Sequence, residues 1–180
     1  MRRFRFAVSI LLLILAGSLL GQNIEAPKAP VLTSSAFQDG AVIPRVYTCQ
    51  GKNISPPLSW LNIPKAAKSL ALVCVDPDAA GGRWVHWVVY GIPPEMTGLE
   101  ANLPPEGSEA GGLLQGKTDF GRQGWGGPCP PPGKPHHYVF TLSVLDADLD
   151  LKPGLTMDEL EAAIKGHVLS EARLTGIYER

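Results

Sequence analysis

The chain has 180 residues, of which 44% are hydrophobic and 18% charged, with a formal net charge of −1 at neutral pH. That length suits one domain with a real core, and the composition excludes a disordered chain. The absence of a basic excess excludes a nucleic-acid binder working through a cationic surface.

The first residues read as a targeting segment rather than as fold. Met1-Arg2-Arg3-Phe4-Arg5 is a basic start, and Ala7 to Leu20 is an apolar run broken only by Ser9, Gly17 and Ser18. This is the pattern of a secretory signal over residues 1–21. The run is shorter than the roughly 18 residues a spanning helix needs. The competing reading is an uncleaved membrane anchor, and no Cys follows the run to carry a lipid. The expected location is secreted or periplasmic. Loss of Arg2, Arg3 and Arg5 takes the net charge of −1 to −4. Residues 22–35 read as a tether and the start of a first strand, and residues 36–180 as one domain.

From Val31 the pattern is β-like. Short apolar stretches alternate with the turn signals Asp39-Gly40, Ser55-Pro56-Pro57 and Ile63-Pro64. Leu70 to Val75 is a continuous apolar run of strand length, suited to burial on both faces. Trp84 to Tyr90 is rich in aromatic and β-branched residues and reads as a second strand. Alternation places Trp84, His86, Val88 and Tyr90 on one face, and Val85, Trp87 and Val89 on the other. Residues 91–137 have few apolar runs; a structureless loop of that length is uncommon, so short strands or turns are expected inside it. Tyr138 to Leu145 is a third strand. Thr156 and Glu159 form a capping box, with Leu155 and Leu160 at staple positions. Leu160, Ala163, Ile164, His167 and Val168 then continue at helical spacing. Leu174 to Tyr178 leaves that pattern at Gly176 and is expected to return as an edge strand.

Three cysteines are present. Cys74 lies in the apolar run and reads as a buried core residue. Cys49 and Cys129 sit in turn-rich segments and are the pair expected to bridge, if any does, in an oxidising compartment.

Three segments could carry chemistry. Asp76 ends the first buried strand, because Pro77 cannot continue a central ladder. His86 lies in an aromatic strand and needs a polar partner, for which Asp76 is a natural choice. The Gly/Pro-rich stretch Gly124 to Pro135 delivers His136 and Tyr138 to one face of the following strand, and His137 to the other. Its glycines permit close backbone approach and its prolines form stiff walls. Two readings remain open. Asp76 could raise the pKa of His86 or His136, giving a cation that holds a phosphate or carboxylate. Alternatively, two His and a carboxylate could form a metal site. The lack of an H-x-H or H-x-x-x-H pair favours the anion. No G-x-S-x-G elbow is present. Cys129 with His136 is the remaining candidate nucleophile arrangement, and the prolines after Cys129 argue against it.

Several ordered motifs resemble the phosphatidylethanolamine-binding protein (PEBP) family, in its bacterial Raf kinase inhibitor-like branch. They are Ile43-Pro44 through Tyr47-Thr48-Cys49, Asn53-Ile54-Ser55-Pro56-Pro57-Leu58-Ser59-Trp60, Asp76-Pro77-Asp78-Ala79, Trp84-Val85-His86-Trp87, Gly126-Gly127-Pro128-Cys129-Pro130-Pro131 and His136-His137-Tyr138. The resemblance runs from about Ala36 to the end. It implies a mainly β fold, a sandwich of antiparallel sheets with a C-terminal helix, and a small pocket for phosphate-like groups. It carries ligand-binding roles onto Asp76, His86, His136 and Tyr138, with Trp84 and Pro128 as walls. It implies no catalytic residue, metal or cofactor, since members are known as lipid head-group binders and as inhibitors of kinases or proteases. Two positions depart from the family pattern: Ala80 stands where Pro is common, and Thr118 where Asn is usual.

The expected function is an exported binding protein for a small phosphate- or carboxylate-bearing ligand, a phospholipid head group included. The alternative is an inhibitor or interaction protein acting on a hydrolase or kinase, and a metal-dependent enzyme ranks below both. Expected partners are the anionic ligand, a protein target, membrane-surface lipid, or a second copy in a homodimer.

Overall fold

The computed structural model describes residues 28–105 and 112–180. In chain order its elements are β1 (Val31–Thr33), β2 (Ala41–Val42), a 3-10 turn (Arg45–Tyr47), β3 (Leu58–Leu61), β4 (Ser69–Asp76) and β5 (Trp84–Ile92). Then follow β6 (Gly98–Leu99), β7 (Leu114–Gln115), β8 (His136–Leu145), α1 (Met157–Ile164) and β9 (Val168–Tyr178). The leader expected at 1–21, and the part of the tether at 22–27, lie outside the described residues.

The apolar run at Leu70 becomes a central strand because both of its faces are largely covered. Leu70, Leu72 and Cys74 enter one buried cluster while Ala71 enters another. Strand β4 therefore pairs antiparallel on both sides, with β5 and with β8. The large sheet has the order β2-β9-β8-β4-β5-β7, and a small sheet has the order β1-β3-β6. Leu32, Leu58 and Trp60 of the small sheet pack with Leu72, Trp87 and Phe140 of the large one. The result is a mainly β sandwich. Its outer face is covered by α1, whose Leu160 and Ile164 meet Ala71, Val88 and Tyr90. One strand pair is not antiparallel: β2 runs parallel to the end of β9.

The capping box forms. The Glu159 N–H donates to Thr156 Oγ1 at 3.3 Å, and the Thr156 N–H donates to Glu159 Oε2 at 2.8 Å. The helix is shorter than the sequence spacing predicts. It ends at Ile164, and Gly166 (φ 86°) turns the chain in the left-handed conformation that glycine accepts. His167 falls in that turn and its Nδ1 pairs with Asp146 at 2.9 Å. Val168 begins β9, an interior strand paired with β8 from His136 to Leu145, not a short edge strand after Gly176. Cross-strand pairing overrides the helical spacing here. The long 91–137 region contains β6, β7 and an isolated bridge between Lys117 and Gln123.

Candidate functional site

The site is assembled where β4 ends, β8 begins and β5 is irregular. Asp76 is buried at the last position of β4. Pro77 stops the strand, and Asp76 Oδ1 accepts the Asp78 N–H at 2.8 Å, closing the turn. Oδ2 accepts from His136 Nδ1 at 2.7 Å. His137, the next residue, points away: its N–H and its Nδ1 both reach Asp78 Oδ2 at 2.8 Å. The backbone bond from His137, and then its ring, hold the Asp78 carboxyl below the usual carboxylate range. Two adjacent Asp–His pairs thus fasten the turn after β4 to the start of β8.

His86 reaches the site through a β-bulge. Cys74 pairs with Trp87 and Val75 with Val85, so His86 is the extra residue of β5. Strict alternation fails at this point. Val85, Val88 and Tyr90 face the helix side, whereas Trp87 and Val89 face the inner core. The His86 ring also turns inward, meeting Tyr138 edge-on with centroids 5.0 Å apart and Trp125 at 6.4 Å. Its partner is not the carboxylate of Asp76. His86 Nδ1 donates to the Gly126 carbonyl, while the Gly126 N–H donates to the His86 carbonyl at 2.9 Å. A carbonyl only accepts, so the proton sits on Nδ1 and the neutral ring presents Nε2 as an acceptor. Burial pushes the His86 pKa down, and this outweighs the Gly126 bond and the charge of Asp76. Of the two histidines that Asp76 was expected to make cationic, His86 is corrected: Asp76 acts upward on its pKa, but burial outweighs it and the net shift is downward.

Between these residues lies a cavity of about 260 Å³ lined by Asp76, His86, His136 and Tyr138. Trp84 and Phe120 form an aromatic rim, with ring centroids 5.5 Å apart at 76°. Pro130, Pro131 and Cys129 form the opposite wall. Pro128, expected as a wall, is buried behind it and its carbonyl accepts the Cys49 N–H at 3.1 Å. Ala80 lines the rim. Thr118 closes its turn through Oγ1, which donates to the Arg122 carbonyl at 2.9 Å.

The Gly/Pro stretch is not a free loop. Trp125 Nε1 donates to the Tyr47 carbonyl at 3.0 Å, and the Gly127 N–H donates to Asn53 Oδ1 at 2.8 Å. Cys49 and Cys129 are joined in a disulfide with their Cα atoms 5.5 Å apart, which leaves Cys129 no thiol for nucleophilic chemistry. A Cβ on Gly127 would come within 2.3 Å of Asn53 Oδ1 and 2.5 Å of the Tyr47 carbonyl oxygen, so only glycine fits. Cys74 is the remaining thiol; burial, reinforced by Asp76, raises its pKa well above the ordinary value.

Phe120 is the aromatic lining residue that sequence reasoning missed, along with the smaller Ala79 and Cys129. Its signal lay in Asp119: the Asp119 carboxylate accepts the Val85 N–H at 2.7 Å and thereby holds the following aromatic against Trp84 and His86.

Tyr138 supplies the sharpest anomaly. Its side chain lines the cavity, yet its buried hydroxyl makes no well-formed hydrogen bond among the described residues; the group that interacts with it is the already committed carboxylate of Asp76. Burial, followed by the charge of Asp76, drives its pKa far up, so the phenol keeps its proton. No group of three His, Cys, Asp or Glu among the described residues is arranged to hold a metal ion. A larger hollow of about 340 Å³ lies under α1 on the outer face of the sheet, but its charged lining residues, Glu161, Glu171 and Arg173, are all exposed and no buried titratable group converges there.

The profile described as phosphatidylethanolamine-binding protein matches residues 33–179. The chain belongs to that family. It is 52% identical over 149 residues to a UPF0098 protein of Methanothermobacter thermautotrophicus, covering 83% of this chain and 98% of the relative. It is 44% identical over 157 residues to a Mycobacterium tuberculosis protein provisionally named lipoprotein LppC, covering 86% of this chain and 75% of that one. Among solved structures, Escherichia coli YbcL, described as a member of the mammalian PEBP family, superposes with a TM-score of 0.79 at 32% identity. That match covers 85% of this chain and 99% of YbcL. The PEBP fold and the mainly β architecture therefore agree with the motifs in the sequence.

Proposed function

We propose that this PEBP-family protein binds a small anionic group, phosphate or carboxylate, in the cavity between His86, His136 and Tyr138. The observation that carries the reading is the buried Tyr138 hydroxyl, which makes no well-formed hydrogen bond among the described residues. Such a donor costs about 1–3 kcal/mol when left unpaired, and buried polar groups are satisfied in the great majority of cases. A ligand oxygen would satisfy it. Both His rings spend Nδ1 on the protein, so each has Nε2 left for a ligand. Protonated, these nitrogens become charge-assisted donors. Because His86 rests neutral, an anion must either bring a proton or draw one onto the ring. The apolar rim of Trp84, Phe120, Pro130 and Pro131 then receives the organic portion of the ligand, as a phospholipid head group would require. Export is part of the proposal. It rests on the basic and apolar start of the sequence and on the lipoprotein name of one relative.

Titration calorimetry with inorganic phosphate tests the reading. Wild-type protein binds, and His86→Ala or His136→Ala abolishes binding while the denaturation transition stays cooperative. Wild-type affinity in both variants would sink it.

A further inference from the structure

The cavity that is proposed to take an anion contains no permanent positive charge. Of its lining residues only Asp76 is charged without help from a bound proton. A ligand with two negative groups therefore needs a cation from beyond the lining, and the end of β9 provides one.

Three contacts fix its place. Tyr178 stands opposite His136 in the β8–β9 register. The Tyr178 hydroxyl donates to Gln50 Oε1 at 2.5 Å, tying the strand end to the loop that carries Cys49. Two residues on, Arg180 Nη1 lies 3.6 Å from Cys129 Sγ. Cys129 is itself part of the cavity wall, so the guanidinium rests on the rim. A disulfide sulfur is a weak acceptor, and it occupies one of the five N–H donors of an always-charged group. The side chain is exposed and has no carboxylate partner among the described residues.

We infer that Arg180 is a specificity-determining residue: it pairs with a second negative charge on a ligand whose phosphate occupies the His86–His136–Tyr138 cavity. The preferred ligands are then small phosphomonoesters that also carry a carboxylate. This rests on the anion-binding reading of the cavity and adds to it the second charge.

O-phosphoserine and O-phosphoethanolamine differ only by a carboxylate and make the test. Calorimetry of the full chain is expected to show wild-type protein favouring O-phosphoserine by roughly fivefold, the scale of one exposed charge pair. Arg180→Ala removes that preference, Arg180→Lys retains part of it, and Arg180→Glu reverses it. Thermal denaturation confirms that each variant folds. A preference that survives in Arg180→Ala, or no preference in the wild type, overturns the inference while leaving the cavity reading intact. Wild-type protein that binds neither compound overturns both.

Discussion

The Asp76 carboxylate accepts from His136 Nδ1 at 2.7 Å, and the same carboxylate takes the Asp78 N–H at 2.8 Å. One buried acid therefore orients a site histidine and closes the turn that forms the cavity rim. Asp76→Ala strands both donors. It is expected to lower stability by about 1–3 kcal/mol in urea denaturation and to abolish phosphate binding. Unchanged stability would mean that the turn does not depend on the acid.

Tyr138→Phe separates stability from binding. Removing a buried hydroxyl that makes no well-formed hydrogen bond among the described residues relieves a desolvation cost, so the ligand-free variant should be as stable as the wild type or more so, by up to about 1 kcal/mol. Affinity for phosphate should fall roughly tenfold, the value of one hydrogen bond to a charged acceptor. A loss of stability in the ligand-free protein would show that the hydroxyl already has a partner.

His86 gives stability and binding opposite responses to pH. Its pKa is lowered in the folded protein by burial, so the unfolded chain takes up a proton first, near the ordinary His value of about 6.5. The stability due to this group is complete above that value and declines as pH falls below it. His86→Gln should flatten this part of the urea-derived stability profile. Anion binding favours the protonated ring, so affinity for sulfate, whose charge is constant from about pH 8 to about pH 6, should rise as pH falls, by at most tenfold per unit for each proton taken up. Affinity independent of pH would remove the proton-linked part of the account.

The Cys49–Cys129 bridge spans a sequence separation of 80 residues, so it restricts the unfolded chain substantially. Replacing both by Ser should cost about 2–4 kcal/mol, and a dithiol reductant should have the same effect on the wild type. Because Cys129, Pro130 and Pro131 wall the cavity, phosphate affinity should fall with the loss of the bridge. Intact affinity after reduction would show that the other ties of this loop suffice.

Much of this arrangement was legible in the sequence because its signals are local. The apolar run at Leu70 has the length of a strand and suits burial on both faces, and Thr156 with Glu159 announced the start of the helix. Pro77 marked the strand end that exposes Asp76 to the cavity. Alternation from His136 correctly separated Tyr138 from His137. The failures share another cause: each depends on contacts between distant segments. The bulge at His86 arises from its pairing with β4 and the Gly126 backbone, so period-two counting put His86 on the face of Val88 and Tyr90. The spacing of His167 and Val168 looked helical, but β8 recruits the segment from Val168 onward into the sheet. Phe120 was missed because the bond between Asp119 and Val85 that positions it spans 34 residues.

A crystal structure of the protein soaked in inorganic phosphate tests the central claim most directly. The account predicts tetrahedral density within hydrogen-bond distance of His86 Nε2, His136 Nε2 and the Tyr138 hydroxyl. An empty or water-filled cavity at saturating phosphate, or phosphate bound only elsewhere, would contradict it.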